Sequence, residues 1–348
     1  MADGMHVKGA RNEEEKMNVT LILTKDCNLR CKYCYEDTGP KDKAMMTFDT
    51  AKAALDSLRP SEVTFFGGEP LIQKELALKI IDYGLGLKIK AYSFTTNATL
   101  IDEEFLLALK TKPAKVSFLV SIDGPENVHN RLRQNYKATE HGIHLLKKHG
   151  YNPEARMTFT PGTIPHLAYS VYFLHGLGFN NIAFLPADSN KFDYTDDDYF
   201  EYMVQLTEIL SWYDQLPPEA RPELKFLKDV KKPKNAPCGL GTGYVAVDEK
   251  GDIYPCHRFC FIPQSKLGNI STSLKTDLKE FYSCFSKYNF ATCSTCGAQK
   301  YCFGSCPAAN YFAHGHTLVP DQKICNFKRA EIELALNYLK MEVPKIVQ

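Results

Sequence analysis

Residues 19–35 read Val19-Thr20-Leu21-Ile22-Leu23-Thr24-Lys25-Asp26-Cys27-Asn28-Leu29-Arg30-Cys31-Lys32-Tyr33-Cys34-Tyr35. The first six residues are β-branched or apolar and read as a buried strand. The strand runs straight into three cysteines spaced C-x3-C-x2-C. Such a loop supplies three thiolates from one short turn. A [4Fe–4S] cubane normally takes four cysteines, so three leave one iron free for another ligand. Zinc is the competing reading, although zinc sites more commonly show paired C-x2-C knuckles.

Working outward, short β-rich runs recur at Val63–Phe66, Ile89–Thr95, Val116–Ile122, Ala155–Thr160 and Ile182–Leu185. Between them, Phe48–Leu58, Leu71–Leu87, Asp102–Lys110, Val128–His149 and Ile164–Gly176 have the length and leucine spacing of amphipathic helices, and Thr195–Tyr213 follows the sixth strand. Repeated βα units predict an α/β fold with a parallel sheet. Six units rather than eight predict a partial, TIM-like (β/α)6 barrel with its chemistry at the C-terminal ends of the strands. Residues 1–17 are polar and read as a flexible tail, and the barrel is expected over 18–214. Residues 215–235, with four prolines and a run of lysines, read as a linker with some helix. From 236 to 348 the composition changes, because nine of the twelve cysteines lie between Cys238 and Cys325. A cysteine-rich domain with little regular structure is expected there, closed by an amphipathic helix over Lys323–Met341.

The chain has 348 residues, 44% hydrophobic and 24% charged, with a formal net charge of +1. This is globular composition with no electrostatic footprint for nucleic acid. No apolar run reaches membrane-spanning length, and the acidic start at Glu13–Glu15 is unlike a signal peptide. A cytoplasmic protein is expected, in which clustered cysteines more often bind metal than pair as disulfides.

The three-cysteine loop, with Tyr33 before its third cysteine, resembles the signature of the radical S-adenosylmethionine (SAM) superfamily. Further segments match that family at successive strand ends. Gly67-Gly68-Glu69-Pro70 resembles the segment that binds the methionyl amino group of SAM. Thr96-Asn97-Ala98-Thr99 resembles the family's Thr-Asn-Gly-Thr, with Ala98 in the glycine position. Ser121-Ile122-Asp123-Gly124 resembles the Ser-x-Asp-Gly segment near the ribose and methionine of the cofactor, and Arg156 matches an arginine facing the SAM carboxylate. The cysteine field resembles a SPASM domain, which implies two auxiliary [4Fe–4S] clusters: one on Cys238, Cys256 and Cys306, the other on Cys293, Cys296, Cys302 and Cys325. That gives three clusters in all. Cys284 reads as a small buried residue. Cys260 either closes the first auxiliary cluster or leaves an iron open for substrate or water.

Gly239–Gly243 is expected to donate N–H bonds to a cluster, and Tyr244–Val247 with Asp252–Tyr254 to form a hairpin carrying Cys256 at its exit. His257 reads as a metal ligand or as a polar group beside one. The resemblance implies reductive cleavage of SAM to a 5′-deoxyadenosyl radical that abstracts hydrogen from a ribosomal precursor peptide. The outcome would be a thioether or C–C crosslink, or excision of tyramine from the backbone. A separate leader-peptide-binding protein and an external electron donor such as flavodoxin or ferredoxin are the expected partners.

Two alternatives stand beside this. An anaerobic sulfatase maturase would make formylglycine. Such enzymes carry an aspartate where His257 stands and a further cysteine near Lys232. A non-catalytic iron–sulfur electron carrier would have no use for the SAM-like segments.

Overall fold

The computed structural model describes residues 17–36, 44–231, 243–272, 291–302 and 304–343. The readings placed on Lys232, Cys238, Gly239–Thr242 and Cys284 lie outside the described residues. Six parallel strands form the frame: β1 (Asn18–Thr24), β2 (Glu62–Gly67), β3 (Ala91–Thr96), β4 (Lys115–Ser121), β5 (Glu154–Phe159) and β6 (Asn181–Pro186). They lie in sequence order. Helices α1 (Phe48–Leu58), α2 (Lys74–Gly86), α3 (Glu103–Lys110), α4 (Glu126–Leu132), α5 (Tyr136–Lys148), α6 (Leu167–Gly176) and α7 (Asp196–Gln215) connect or follow them. The expected partial barrel is present.

Strict alternation decides which side chains meet the helices. On β2, β3 and β4 the residues Phe65, Phe94 and Phe118 are register partners; the first two rings pack tilted with centroids 4.6 Å apart and the last two stack at 5.4 Å, on the helix side. Thr64, Ser93, Ser117, Ser121, Arg156 and Thr158 then face the other way, into the barrel. A one-residue slip would exchange the two sets, so the aromatic row fixes which side chains reach the chamber.

Two segments depart from the sequence reading. The stretch 215–235, read as a linker with some helix, holds a helix, α8 (Lys225–Val230), but its Phe226, Leu227 and Val230 are buried, and it adds β7 (Glu223–Leu224), paired with β6. The single helix expected over Val128–His149 is broken into α4 and α5. Gln134 and Asn135 adopt left-handed backbone at φ 74° and 58° there, and Asn130 accepts from Tyr136 N at 2.9 Å. Asn tolerates that region better than most residues.

The expected hairpin forms as β8 (Tyr244–Val247) and β9 (Asp252–Tyr254). Asp248 holds its turn by accepting from Lys250 N and Asp252 N, and Gly251 turns at φ +80°. Strand β8 pairs in parallel with β1, and β10 (Gly268–Asn269) pairs with β9, so a single ten-stranded sheet spans both halves of the chain. Helices Pro307–His314 and Gln322–Tyr338 carry the remaining cysteine region, the latter N-capped by Asp321. Among the described residues no helix is long and apolar enough to cross a membrane.

Candidate active site

The cysteine loop leaves the C-terminal end of β1 under tight backbone control. Thr24 Oγ1 accepts from Asp26 N at 3.0 Å, and Asp26 accepts from Cys27 N at 2.9 Å. Cys34 N donates to Cys31 O at 3.1 Å, and Leu29 N points at Cys27 Sγ from 3.4 Å. Lys25, at the root of the loop, forms an ion pair of 3.2 Å with Glu249 in the β8–β9 turn. All three thiols face a chamber of about 520 Å³, whose walls include Gly67, Gly68, Glu69, Asn97, Ser121 and Arg156. That volume falls within the ~300–1,000 Å³ usual for a ligand pocket.

The glycines of Gly67-Gly68 are explained first by the chain itself. A Cβ on Gly67 would lie 2.2 Å from Thr24 O, and one on Gly68 2.2 Å from Asp26 O. Gly68 N and Glu69 N in turn donate to those two carbonyls, each at 2.9 Å. The motif is therefore the cradle on which the cysteine loop rests. Pro70 is buried behind it, starting a 3-10 turn.

Glu69 is 1% exposed and accepts from Thr96 Oγ1 (2.7 Å), Leu71 N (3.0 Å) and Asn97 N (2.8 Å). Burial pushes its carboxyl up to about 7, against the pull of those three donors. A folded-state value raised from 4.5 means that the wild type loses stability as pH climbs through that window. Glu69→Gln has no such titration. The stability of the wild type relative to this variant should fall by about 3 kcal/mol across it. Denaturant unfolding of both proteins on the two sides of the window checks this, and parallel curves would refute it.

Asn97 accepts from Thr99 N and donates to Asn28 Oδ1 at 2.9 Å, with its amide 4.0 Å from Cys27 Sγ. Ala98, in the glycine position, sits at φ 63°. Gly142 on α5 makes room for it, since a Cβ there would lie 2.0 Å from Ala98 O.

Asp123 behaves differently from a free cofactor acceptor. It is 2% exposed and fully engaged. Its Oδ2 accepts from Tyr33 OH at 2.6 Å and Arg133 Nε at 2.9 Å, and its Oδ1 accepts from Thr158 N at 2.9 Å. The Arg133 guanidinium also lies over the Tyr33 ring at 4.9 Å. Asp123 thus ties the cysteine loop, through Tyr33, to β5 and to the break after α4. Sequence reasoning missed Arg133 because it falls inside helix-like spacing; Asn135, a residue type that tolerates left-handed backbone, is the signal of a break that the sequence offered.

Arg156 on β5 is the register partner of Ser121 and faces the chamber. Burial, with Arg258 nearby, lowers its pKa. His257 lies 4.3 Å from the Phe66 ring, centroid to centroid, with its Nδ1 buried and without a hydrogen-bond partner. Burial, then Arg258 and Arg156, pushes it down to about 3, so its imidazole is neutral.

A second cavity of about 250 Å³ shares Arg156, Asp188 and Arg258 with the chamber and reaches Cys302 and Cys306. Cys293, Cys296, Cys302 and Cys325 all line a third, small cavity. Burial pushes the Cys325 thiol up to about 12 when no metal is bound. Cys256 sits at the head of the 3-10 turn His257–Phe261. Cys260, at 5% exposure, points its Sγ back at Cys256 O, 3.8 Å away, and lines none of these three cavities.

Among the described residues no three thiol, imidazole or carboxylate groups converge as a chelate for one ion. A zinc ion would draw its sulfurs to ~2.3 Å. A cubane is larger, and thiols spread around a cavity wall suit it.

Comparison with known proteins places this geometry in context. The Radical SAM superfamily pattern matches residues 21–167. Uncharacterized protein MJ0907 of Methanocaldococcus jannaschii is 31% identical over 288 residues, 78% of this chain and 95% of its own length. The antilisterial bacteriocin subtilosin biosynthesis protein AlbA of Bacillus subtilis is 25% identical over 73% of this chain, which spans 57% of that protein. A serine-type anaerobic sulfatase-maturating enzyme of Bacteroides thetaiotaomicron is 25% identical over 81% of this chain and 80% of its own. In fold, the chain is similar to anSMEcpe with bound AdoMet, with a TM-score of 0.77, 20% identity, and 94% and 96% of the two chains covered.

Proposed function

The chain belongs to the radical SAM superfamily, and from that premise we propose that it is a SPASM-type maturase of a ribosomally made precursor peptide. The observation that supports this most is the pair of adjacent cavities that share a wall. One is lined by Cys27, Cys31 and Cys34, the other by Cys302 and Cys306, with Arg156 and Arg258 between them. In this reading Cys27, Cys31 and Cys34 hold the catalytic cluster, and Cys238, Cys256 and Cys306 the first auxiliary one. Cys293, Cys296, Cys302 and Cys325 hold the second. When bound, the catalytic cluster supplies an electron that cleaves SAM to methionine and a 5′-deoxyadenosyl radical, which takes a hydrogen atom from the peptide.

The chain's own residues bind, orient and exclude water. Gly67–Pro70 and Asn97 shape the seat of the methionyl group, Ser121 lies toward the ribose, and Arg156 offers a buried guanidinium to the SAM carboxylate. Asp123 acts one step back, holding Tyr33 and Arg133. The division between 18–214 and 236–348 is one of cluster assignment, since β8 on β1 makes the sheet continuous.

Sulfatase maturation is the second reading, favoured by the relative that matches over 81% of this chain. Here His257, neutral and facing the chamber, stands where those enzymes carry an aspartate.

Anaerobic co-expression with the small reading frames encoded beside this gene, read by mass spectrometry, separates the readings. A crosslinked peptide lacks two hydrogen atoms and no aldehyde can be trapped in it. Excision removes a residue-sized fragment. Unchanged precursors, together with a trappable aldehyde on a sulfatase-derived serine or cysteine peptide, would overturn peptide maturation in favour of formylglycine formation.

A further inference from the structure

Each of the three cysteine groups has a cation beside it, buried at Arg133, nearly so at Arg258 and a quarter exposed at Lys328, and each cation is tethered to a carboxylate. Arg133 stands by Cys31, paired with Asp123 at 2.9 Å and 10% exposed. Arg258 stands by Cys306, with Nη1 pointing at Cys306 Sγ from 3.6 Å. Asp188 is its ion-pair partner, and both side chains are 14% exposed. Lys328 lines both cavities that reach Cys302. It is held 2.8 Å from Glu331 and 3.6 Å from Asp229.

An ion pair withdrawn from solvent seldom improves stability over an apolar pair of similar volume, so the pairs of Arg133 and Arg258 in these positions call for another cause. A thiolate-ligated cluster is anionic, and reduction adds negative charge to it. A fixed cation in a low-dielectric wall lowers the free energy of the reduced form most.

Resting on the cluster assignment above, we propose that these cations are electrostatic posts, one per cluster, and that Arg258 is the positioning residue that tunes the cluster to which Cys306 belongs. Arg258 has the firmest geometry of the three. Its guanidinium lies 4.8 Å over the Tyr35 ring, next to Cys34, while Asp188, just beyond β6, fixes its far side. It therefore spans the wall between the catalytic loop and Cys306. Its Nε is buried without a partner, which leaves a donor free for a further acceptor in that wall.

The test uses the reconstituted holoenzyme and compares the wild type with Arg258→Met, Arg258→Lys and Lys328→Met. Each is assayed for iron content and by potentiometric titration followed by electron paramagnetic resonance. Arg258→Met should make reduction of one auxiliary signal at least tenfold less favourable, about 59 mV lower for one electron. Arg258→Lys should recover most of that loss, and Lys328→Met should move a different signal. If Arg258→Met sheds about four irons while Arg258→Lys keeps them, the post is needed to hold its cluster, and the proposal stands. Midpoints unmoved at full iron, or equal losses in the Met and Lys variants, would overturn it. Wild-type protein saturating near four irons would instead remove the auxiliary assignment beneath it.

Discussion

SAM cleavage should vanish, and iron should fall from about 12 to about 8 atoms per chain, when Cys27, Cys31 and Cys34 are changed together to alanine. The fold should survive. Of the loop's backbone bonds only that of Leu29 N to Cys27 Sγ involves sulfur, and the core that supports β1 is an apolar layer with Leu21, Leu23 and Val63 fully buried. Far-ultraviolet circular dichroism should therefore match the wild type while anaerobic product analysis finds no 5′-deoxyadenosine. Cleavage that persisted in the triple variant would show that the catalytic cluster sits elsewhere. Zinc in stoichiometric amount would return the site to the competing metal.

The largest loss of stability is expected from Asp123→Ala. It strips Arg133 of its carboxylate and leaves Tyr33 OH and Thr158 N without their acceptor. Breaking a buried pair from one side costs about 3–5 kcal/mol, because the remaining charge is uncompensated. Asp123→Ala with Arg133→Ala should recover part of that cost, and the difference is the coupling energy of the pair. Chemical unfolding of the wild type, both single variants and the double variant closes the cycle. Strict additivity would mean that the two residues do not act as one clamp. The single Asp123 variant should also release its catalytic-loop iron sooner on dilution, because Tyr33 then loses its anchor.

The barrel was legible because its signals are local. Four of the six runs alternate with period two, β1 is a continuous apolar run, and Phe65, Phe94 and Phe118 fall at matching register positions. The cysteine loop was legible for the same reason, being one turn long. What escaped needed partners far away in sequence. β7 is two residues long and α8 six, too short for any periodicity, and their burial comes from contact with β6 and the C-terminal helix.

Prolines and lysines around them speak for a linker until Phe226 and Leu227 are seen inside. Arg133 looks like an ordinary solvated helix charge, since nothing in the sequence says that Asp123 will meet it in the interior; Lys328 and Glu331 are neighbours by their i,i+3 spacing, but that spacing does not say that Asp229 and the cavities reaching Cys302 lie beside them. Gly67 and Gly68 were singled out for the cofactor, and the structure shows a close approach to the carbonyls of Thr24 and Asp26 that their spacing did not announce. Asp123 was singled out too, as a cofactor neighbour, but its partners Tyr33, Arg133 and Thr158 were not foreseen.

The pairing of β8 with β1 has a consequence for how the protein is made. One edge of β1 is covered by β2 soon after synthesis, but the other waits for Tyr244–Val247, about 220 residues downstream. At ~5–20 residues per second the ribosome takes roughly 10–45 s to deliver them. Throughout that interval the nascent chain exposes an apolar strand edge, and the cysteine loop hangs from a strand that is only half paired. Arrival of the late hairpin both seals that edge and brings Glu249 to Lys25 at the root of the loop. A hairpin translated long after β1 thus completes the support of the strand from which the cysteine loop hangs.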